Sequence, residues 1–415
     1  MKRITIALCL TLLTGVFGCS NEDNNEEPYT PNSPKERTTI FYLVGDNNLT
    51  GYIAGNLEQI CYGLDSRVDN EKVNILAYID LLRSDGDIPK LPSLYQITYD
   101  SYKQKGDTIC IERFPEHNSV SKDKISEFLK YVQKNFPAES YSLIWGSHGN
   151  GWYPSKQTIN GATARTLGPD GDQFIEMDEL HEAIPDSMTF EFMFFDACFM
   201  GQAELAMQFK DKTKYLIASP TEIPAKGNPY DLNVSQLCTA STEEEYKEIC
   251  EIFWDRYTGS WRTISLIKTD GIDRVAECFK AIIDTCSDET LRNLDLIRVQ
   301  KFDGTTAVSA GGAVCYDLLD IAYNLLQIDS LNLDSAPEYK QKLWNNMRNS
   351  IDAIIPYKAN SHYIASNVSN ITIDTYCGIS SYWPQSRRSD VNWYYYNYEW
   401  CYKSGIEYVL TYLTD

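Results

Sequence analysis

A cysteine and a histidine that could act as nucleophile and base each end a short apolar segment of this chain. Cys198 follows Phe-Met-Phe-Phe-Asp-Ala at residues 192–197, and His148 follows Leu-Ile-Trp-Gly-Ser at residues 143–147. Runs of this length are typical of buried strands, and the carboxyl ends of strands are where α/β sheets place their chemistry. A thiol attacks as the thiolate, so it needs a neighbouring base. The pattern therefore predicts a Cys–His pair for nucleophilic catalysis.

Cys198 could instead be a structural residue, because unpaired cysteines are often buried among apolar side chains. The chain has 12 cysteines, so one of them near a histidine in sequence carries little weight by itself. The shared context carries more, because both residues close an apolar run and both are followed by glycine within three residues. The chain has only 4 histidines, which makes a chance pairing harder to obtain. The catalytic interpretation is favoured.

Five segments, in order along the chain, carry the motifs of a known family. Two contain the chemistry: His-Gly-Asn-Gly-Trp at 148–152 and Asp-Ala-Cys-Phe-Met at 196–200. The others are Thr-Ile-Phe-Tyr-Leu-Val-Gly-Asp-Asn-Asn-Leu at 39–49, Ala-Ser-Pro-Thr-Glu-Ile-Pro-Ala-Lys-Gly-Asn-Pro-Tyr at 218–230 and Cys-Gly-Ile-Ser-Ser-Tyr-Trp-Pro at 377–384. Together they resemble the clostripain (C11) cysteine peptidases of the caspase-like clan, in which the histidine also precedes the cysteine. The resemblance extends from about residue 37 to about residue 385.

The resemblance implies a fold and an activity. The fold would be a caspase-like α/β structure, with a mostly parallel sheet, helices on both faces and an added C-terminal helical subdomain. The activity would be that of an endopeptidase with a Cys198–His148 dyad. Asp196 would line the S1 subsite, which holds the P1 side chain before the cleaved bond, and would select Arg or Lys there. Lys156 and Arg165 would be sites of self-cleavage in the loop after the histidine; a chain that works uncut is the alternative.

Peptide hydrolysis also needs N–H donors for the oxyanion of the tetrahedral intermediate. The backbone amides of Gly149 and Cys198 are predicted for this role, because glycine permits the close turn that points an N–H inward. Asp196 has an alternative role as the cap of a helix predicted over residues 199–209. Lys226 and Pro229 depart from the family pattern, and a cation at position 226 would oppose a basic P1 side chain.

The first residues predict a lipoprotein leader. Met1-Lys2-Arg3 is basic, and the apolar run over residues 4–17 is too short to cross a bilayer. Val-Phe-Gly-Cys at 16–19 resembles a bacterial lipobox, in which Cys19 becomes the lipidated first residue; an ordinary secretory leader is the alternative. Residues 1–18 are therefore predicted to be the signal peptide and residues 19–36 a disordered acidic tether. We expect a cell-envelope protein, held at the outer membrane by lipid alone and facing the periplasm or the outside.

Composition limits the expected partners. Loss of Lys2 and Arg3 with the leader leaves 35 basic and 58 acidic residues, a net charge of −23. No lysine–arginine cluster is present, so nucleic acid is not expected as a partner, whereas a peptide or protein with a basic P1 residue is. No cysteine spacing suits zinc, so no metal and no cofactor are predicted, and a calcium requirement is left open. The rival to an active peptidase is an inactive caspase-like surface lipoprotein that binds proteins or glycans.

Alternating apolar and amphipathic segments organise the rest of the chain. Residues 37–270 are predicted to form the catalytic core, and residues 271–415 a helical subdomain from which a strand near residues 378–383 returns to the sheet. Strands are predicted at residues 39–44, 73–79, 94–99, 142–146, 190–195, 214–219 and 378–383. Helices are predicted at residues 121–135, 243–257, 273–286 and 338–355.

Overall fold

A nine-stranded sheet forms the centre of the molecule. The computed structural model describes residues 33–154, 158–159, 162–163, 167–303, 315–328, 330–364 and 370–414. In chain order the strands of this sheet are β1 (Lys35–Gly45), β2 (Val73–Leu81), β3 (Ser93–Asp100), β4 (Lys105–Arg113), β5 (Ala138–Gly146), β6 (Phe190–Asp196), β7 (Thr213–Ala218), β8 (Thr263–Lys268) and β9 (Tyr357–Asn360). Their spatial order is β9-β8-β7-β6-β5-β1-β2-β3-β4.

The five inner strands, from β2 through β1, β5 and β6 to β7, are parallel to their neighbours. The outer strands β3 and β4 at one edge, and β8 and β9 at the other, pair antiparallel. Every residue of β2 is buried, because helices cover both faces of a parallel sheet. That double burial explains why the inner strands appear in the sequence as continuous apolar runs. The sheet confirms the predicted α/β class.

Helices cover both faces of the sheet. They are α1 (Thr50–Gly63), α2 (Lys122–Asn135), α3 (Met177–Ala183), α4 (Ala203–Gln208), α5 (Tyr230–Thr239), α6 (Glu243–Arg256), α7 (Ile272–Ile283), α8 (Asp288–Arg292), α9 (Leu318–Leu326), α10 (Glu338–Ile354), α11 (Ser389–Tyr395), α12 (Glu399–Lys403) and α13 (Ile406–Thr414). Successive residues of a strand point to opposite faces. Accordingly, Phe41 packs with α1, α5 and α6 on one face, while Tyr42 joins the cluster that includes α2 and the helices after residue 271 on the other.

Helix α2 shows how the sequence specifies these elements. It buries Ile125, Phe128, Leu129 and Val132, which recur at helical spacing and pack on the sheet. The predicted helix at residues 121–135 is confirmed, with its first residue at Lys122.

The late strand is a correction to the sequence analysis. Of residues 378–383, only Ser380–Ser381 form a strand, and they pair with Tyr316–Asp317 in a separate two-stranded sheet instead of rejoining the main sheet. Gly378 has a φ of +94°, a conformation that L side chains rarely adopt, so the chain bends just before this strand. Other short pairs are Thr158–Ile159 with Ala162–Thr163, Leu167–Asp170 with Gln173–Ile175, and Tyr363–Ile364 with Ile371–Thr372.

None of the described helices has both the length and the apolar character needed to cross a bilayer. Residues 1–32, which include the predicted leader and Cys19, lie outside the described residues.

Candidate active site

The register of the sheet places His148 and Cys198 at equivalent positions. Gly146, the last residue of β5, pairs with Asp196, the last residue of β6. His148 and Cys198 each follow two residues later, so they leave the same edge of the sheet on adjacent parallel strands, which lie about 4.8 Å apart. The contact continues past the strands, because the N–H of Ser147 donates to the carbonyl of Asp196 at 3.4 Å. The structure thus brings together the two residues predicted to be catalytic.

Gly149 allows the histidine loop to lie against the cysteine turn. A Cβ at this position would be 2.6 Å from the carbonyl oxygen of Cys198 and 2.9 Å from the Cβ of Ala197, so no side chain fits. Neither the Gly149 nor the Cys198 backbone N–H donates a hydrogen bond to a residue that the structure describes. The two amides predicted to bind the oxyanion therefore lie in neighbouring segments, and no described residue accepts a hydrogen bond from either of them.

The Cys198 thiol is half-buried, and the N–H of Ile223 donates to its sulfur at 3.4 Å. Burial raises the pKa of the Cys198 thiol to about 12; the Ile223 N–H acts in the opposite direction, and the charges of Glu222 and Asp196 raise it further. The thiol is therefore protonated at neutral pH. A base must remove that proton when the sulfur attacks.

The turn after the cysteine is strained. Phe199 has a φ of +61°, which in a residue other than glycine costs on the order of 1–3 kcal/mol and persists only where the surroundings enforce it. Here the N–H of Phe199 donates to the carbonyl of Thr221 at 2.9 Å, and the N–H of Gly201 donates to that of Ser219 at 2.8 Å. The loop after β7 therefore holds the cysteine turn in a fixed shape.

Asp196 is buried beside the cysteine, with 5% of its surface exposed. Its Oδ2 accepts hydrogen bonds from the Asn228 N–H and the Tyr230 hydroxyl, both at 2.9 Å. Its Oδ1 is buried and has no hydrogen-bond partner in the described part of the chain. Burial raises the pKa of Asp196 to about 6, against the effect of these hydrogen bonds. Helix α4 begins at Ala203, and Asp196 does not cap it, so the alternative role is wrong.

Gly227 covers the Asp196 carboxylate. It has a φ of +67°, and a Cβ there would be 2.4 Å from Asp196 Oδ2. The Tyr257 hydroxyl holds this loop by donating to the Gly227 carbonyl at 2.6 Å. Lys226 precedes the glycine and is exposed, whereas Pro229 is buried at the start of α5. Of the two departures from the family pattern, only Lys226 carries a charge, and it precedes the glycine that contacts the carboxylate.

The sequence profile of the clostripain family (peptidase family C11) matches residues 41–409. This chain belongs to the clostripain family. Clostripain from Hathewaya histolytica is 26% identical over 225 residues, which are 48% of this chain and 42% of the relative. The chain thus matches less than half the length of that curated relative.

Two solved structures of C11 proteases share the fold. An inactive zymogen from Parabacteroides distasonis superposes with a TM-score of 0.74 at 27% identity, covering 90% of this chain and 99% of the other. A secreted cysteine protease from Bacteroides thetaiotaomicron, in complex with an irreversible peptide inhibitor, has a TM-score of 0.71 at 22% identity, covering 89% and 98%. The second likeness shows the fold alone.

In this clostripain-family chain, a hairpin formed by Leu167–Asp170 and Gln173–Ile175 follows the predicted cleavage loop. This hairpin contacts the histidine loop, which is the segment after β5 that carries His148. The N–H of Gly168 donates to the His148 carbonyl at 3.1 Å, and the N–H of Gly171 donates to the Asp46 carbonyl at 3.0 Å. The predicted cleavage sites themselves, Lys156 and Arg165, lie outside the described residues. The geometry of the histidine loop therefore depends on residues that follow the cleavage loop.

Buried carboxylates fasten this hairpin to the core. The Ser119 hydroxyl donates to Asp80 and its N–H donates to Asp170, both at 2.5 Å. Burial raises the pKa of Asp80 to about 8 and that of Asp170 to about 6. Within the described ranges, no group of three or more His, Cys, Asp or Glu residues has a geometry that could hold a metal ion.

Asn48 is a residue at the site for which the sequence predicts no role. The structure places its Oδ1 2.7 Å from His148 Nε2. Residues 46–49 carried part of the family resemblance, but no local signal in the sequence joins an asparagine to a histidine 100 positions away.

Proposed function

We propose that this chain is a cysteine endopeptidase that uses Cys198 and His148. The observation that carries the proposal is the paired register of β5 and β6, which puts both residues at one edge of the sheet. Cys198 would attack the scissile carbonyl while His148 takes the thiol proton and then gives it to the leaving amine. The backbone N–H groups of Gly149 and Cys198 would donate to the oxyanion. Water, activated by His148, would then release the acyl group.

We propose Arg or Lys as the P1 residue. The support is Asp196, whose buried Oδ1 lacks a hydrogen-bond partner among the described residues and lies two residues from the nucleophile. A guanidinium or ammonium group would supply the missing donor through a charge-assisted hydrogen bond. Self-cleavage after Lys156 or Arg165 would follow from the same preference. Lys226 acts against it, because an exposed cation near Gly227 would repel a basic P1 group.

A peptide library randomised at P1 tests this proposal. The purified chain, before and after limited proteolysis with a protease that does not cut after Arg or Lys and is then inhibited, is expected to cleave mainly after Arg and Lys, with neutral P1 residues cleaved at least roughly tenfold more slowly. Matched peptides with Arg, Lys, Met or Glu at P1 give the ratios. No cleavage in either sample would contradict the peptidase proposal, and equal cleavage after Met would contradict the basic P1 preference alone.

We propose further that Cys19 is lipidated and holds the enzyme in the cell envelope, because residues 16–19 resemble a lipobox. In fractionated cells, wild type is expected in the membrane fraction and Cys19→Ala in the soluble fraction, since acyl chains supply the attachment. Treatment of intact cells with an external protease then distinguishes a surface protein from a periplasmic one. Identical fractionation of the two proteins would disprove the lipid anchor.

A further inference from the structure

The imidazole of His148 forms a hydrogen bond with the side chain of Asn48. The distance between His148 Nε2 and Asn48 Oδ1 is 2.7 Å, which is a short hydrogen bond. An amide oxygen can only accept, so Nε2 carries the hydrogen. In neutral imidazole the other nitrogen, Nδ1, then carries the lone pair that can accept a proton. The contact therefore selects one tautomer of His148, with Nδ1 as the basic atom.

The turn that carries Asn48 is fixed to the same edge of the sheet. It follows β1, which is the neighbour of β5. The Ser147 hydroxyl donates to the carbonyl of Val44, near the end of β1, at 2.7 Å. Asn47 stiffens the turn, because its Oδ1 accepts from the Leu49 N–H at 2.8 Å and its Nδ2 donates to a carbonyl of the hairpin, also at 2.8 Å. The Asn48 side chain itself is exposed. Its removal therefore leaves the packing of the core intact.

We propose that Asn48 is a positioning residue that fixes the tautomer and orientation of His148 for proton transfer with Cys198. The inference rests on the proposed peptidase function. As the sulfur–carbon bond forms, the thiol proton moves to Nδ1, while Nε2 keeps its own hydrogen on Asn48 Oδ1. The resulting imidazolium donates the Nδ1 proton to the leaving nitrogen as the carbon–nitrogen bond breaks. The amide oxygen of Asn48 faces the positive ring throughout, and a hydrogen bond to a charged group is stronger than one between neutral groups.

Three variants at one position test the proposal. Asn48→Ala removes the acceptor, and kcat is expected to fall roughly tenfold or more, with KM and the melting temperature little changed. Asn48→Asp keeps an acceptor oxygen and is expected to restore most of kcat. Asn48→Leu has a similar size but no acceptor and is expected to behave like alanine. Asn293→Ala, which changes an exposed asparagine at the end of α8, is the control and should have wild-type kinetics.

The rate at which iodoacetamide alkylates Cys198, followed by peptide mass spectrometry, gives a readout that needs no turnover. Asn48→Ala is expected to slow alkylation of Cys198 several-fold, because the base that activates the thiol is no longer oriented. Cys110, an exposed free thiol, is the internal reference and should react at an unchanged rate. Inactivity of the wild type towards every peptide would refute the peptidase function, while this alkylation difference would still decide the role of Asn48. Wild-type alkylation and kcat in Asn48→Ala, or failure of aspartate to restore them, would overturn the proposal.

Discussion

Cys198→Ala is expected to abolish hydrolysis of Arg and Lys reporter peptides, because the variant has no atom that can form the acyl-enzyme. The free energy of unfolding should stay within about 1 kcal/mol of the wild-type value, since the change is small and the side chain is half-buried. Peptidase assays and thermal unfolding of the same samples measure the two quantities. The proposed self-cleavage after His148 would use the same nucleophile, so the variant should also remain uncut there.

Cys286→Ala is the matched control for this experiment. Cys286 is also a half-buried free thiol, but it follows α7 and lies outside the proposed site. We expect wild-type activity from it and a comparable stability change. If Cys198→Ala hydrolysed the peptides as fast as the wild type, another residue would be the nucleophile. The proposal that Cys198 is the nucleophile of a cysteine peptidase would then be untenable.

Asp196→Asn is expected to lower kcat/KM for Arg substrates at least roughly tenfold, which is about 1.4 kcal/mol, near the lower end of a hydrogen bond to a charged group. The amide keeps an oxygen that can accept from Asn228 and Tyr230, so the local shape should survive. Substrates with a neutral P1 residue should change much less. An equal loss for all substrates would instead show that Asp196 orients the site, and unchanged ratios would remove it from the S1 subsite.

The pH dependence gives the Asp196 experiment a second readout. Burial raises the pKa of Asp196 to about 6, so the carboxyl group is neutral below that pH and charged above it. Cleavage after Arg should therefore rise, relative to cleavage after Met, as the pH increases through about 6, and the asparagine variant should lack this rise. The control is Asp317→Asn, because burial also raises the pKa of Asp317 to about 6 while its side chain caps α9. That variant should alter stability but leave the Arg-to-Met ratio unchanged.

Lys226→Ala belongs in the same series. If its ammonium group repels a basic P1 residue, its removal should raise kcat/KM for Arg substrates and leave neutral substrates unchanged. The side chain is exposed, so the folded state should tolerate the change. Equal activity of variant and wild type on Arg peptides would show that the lysine lies too far from the bound side chain to matter.

Elements with strong local signals could be predicted from the sequence. The inner strands read as apolar runs because helices cover both of their faces, and α2 buries the residues at helical spacing that predicted it. The proximity of His148 and Cys198 could be predicted because neighbouring parallel strands have their carboxyl ends at the same edge of the sheet. The outer strands β4, β8 and β9 were not predicted. Strands β4 and β9 are largely or partly exposed and leave a weak pattern, whereas β8 is buried but Ser265 interrupts its apolar run.

Long-range pairing is what the sequence could not supply. Residues 378–383 have the composition of a strand, but their partner is Tyr316–Asp317, and no local property of either segment specifies that choice. The contact between Asn48 and His148 depends likewise on β1 and β5 being neighbours across 100 positions. In both cases the sequence shows the residue types, but it does not show which residues they contact. Those contacts depend on how the strands are ordered in the folded sheet.

The order of the strands decides what a cut in the loop over residues 155–166 would do. The fragment before the cut would hold β1 to β5, a continuous half of the sheet, and the fragment after it would hold β6 to β9. His148 and Cys198 would then belong to different polypeptides that face each other across the β5–β6 seam. Other contacts also cross between them: Arg37 donates to the Ala240 carbonyl at 2.9 Å, and the Tyr398 hydroxyl donates to that of Trp152 at 2.9 Å. The cut protein would be a heterodimer, so its resistance to denaturant would depend on its own concentration, as that of the intact chain does not.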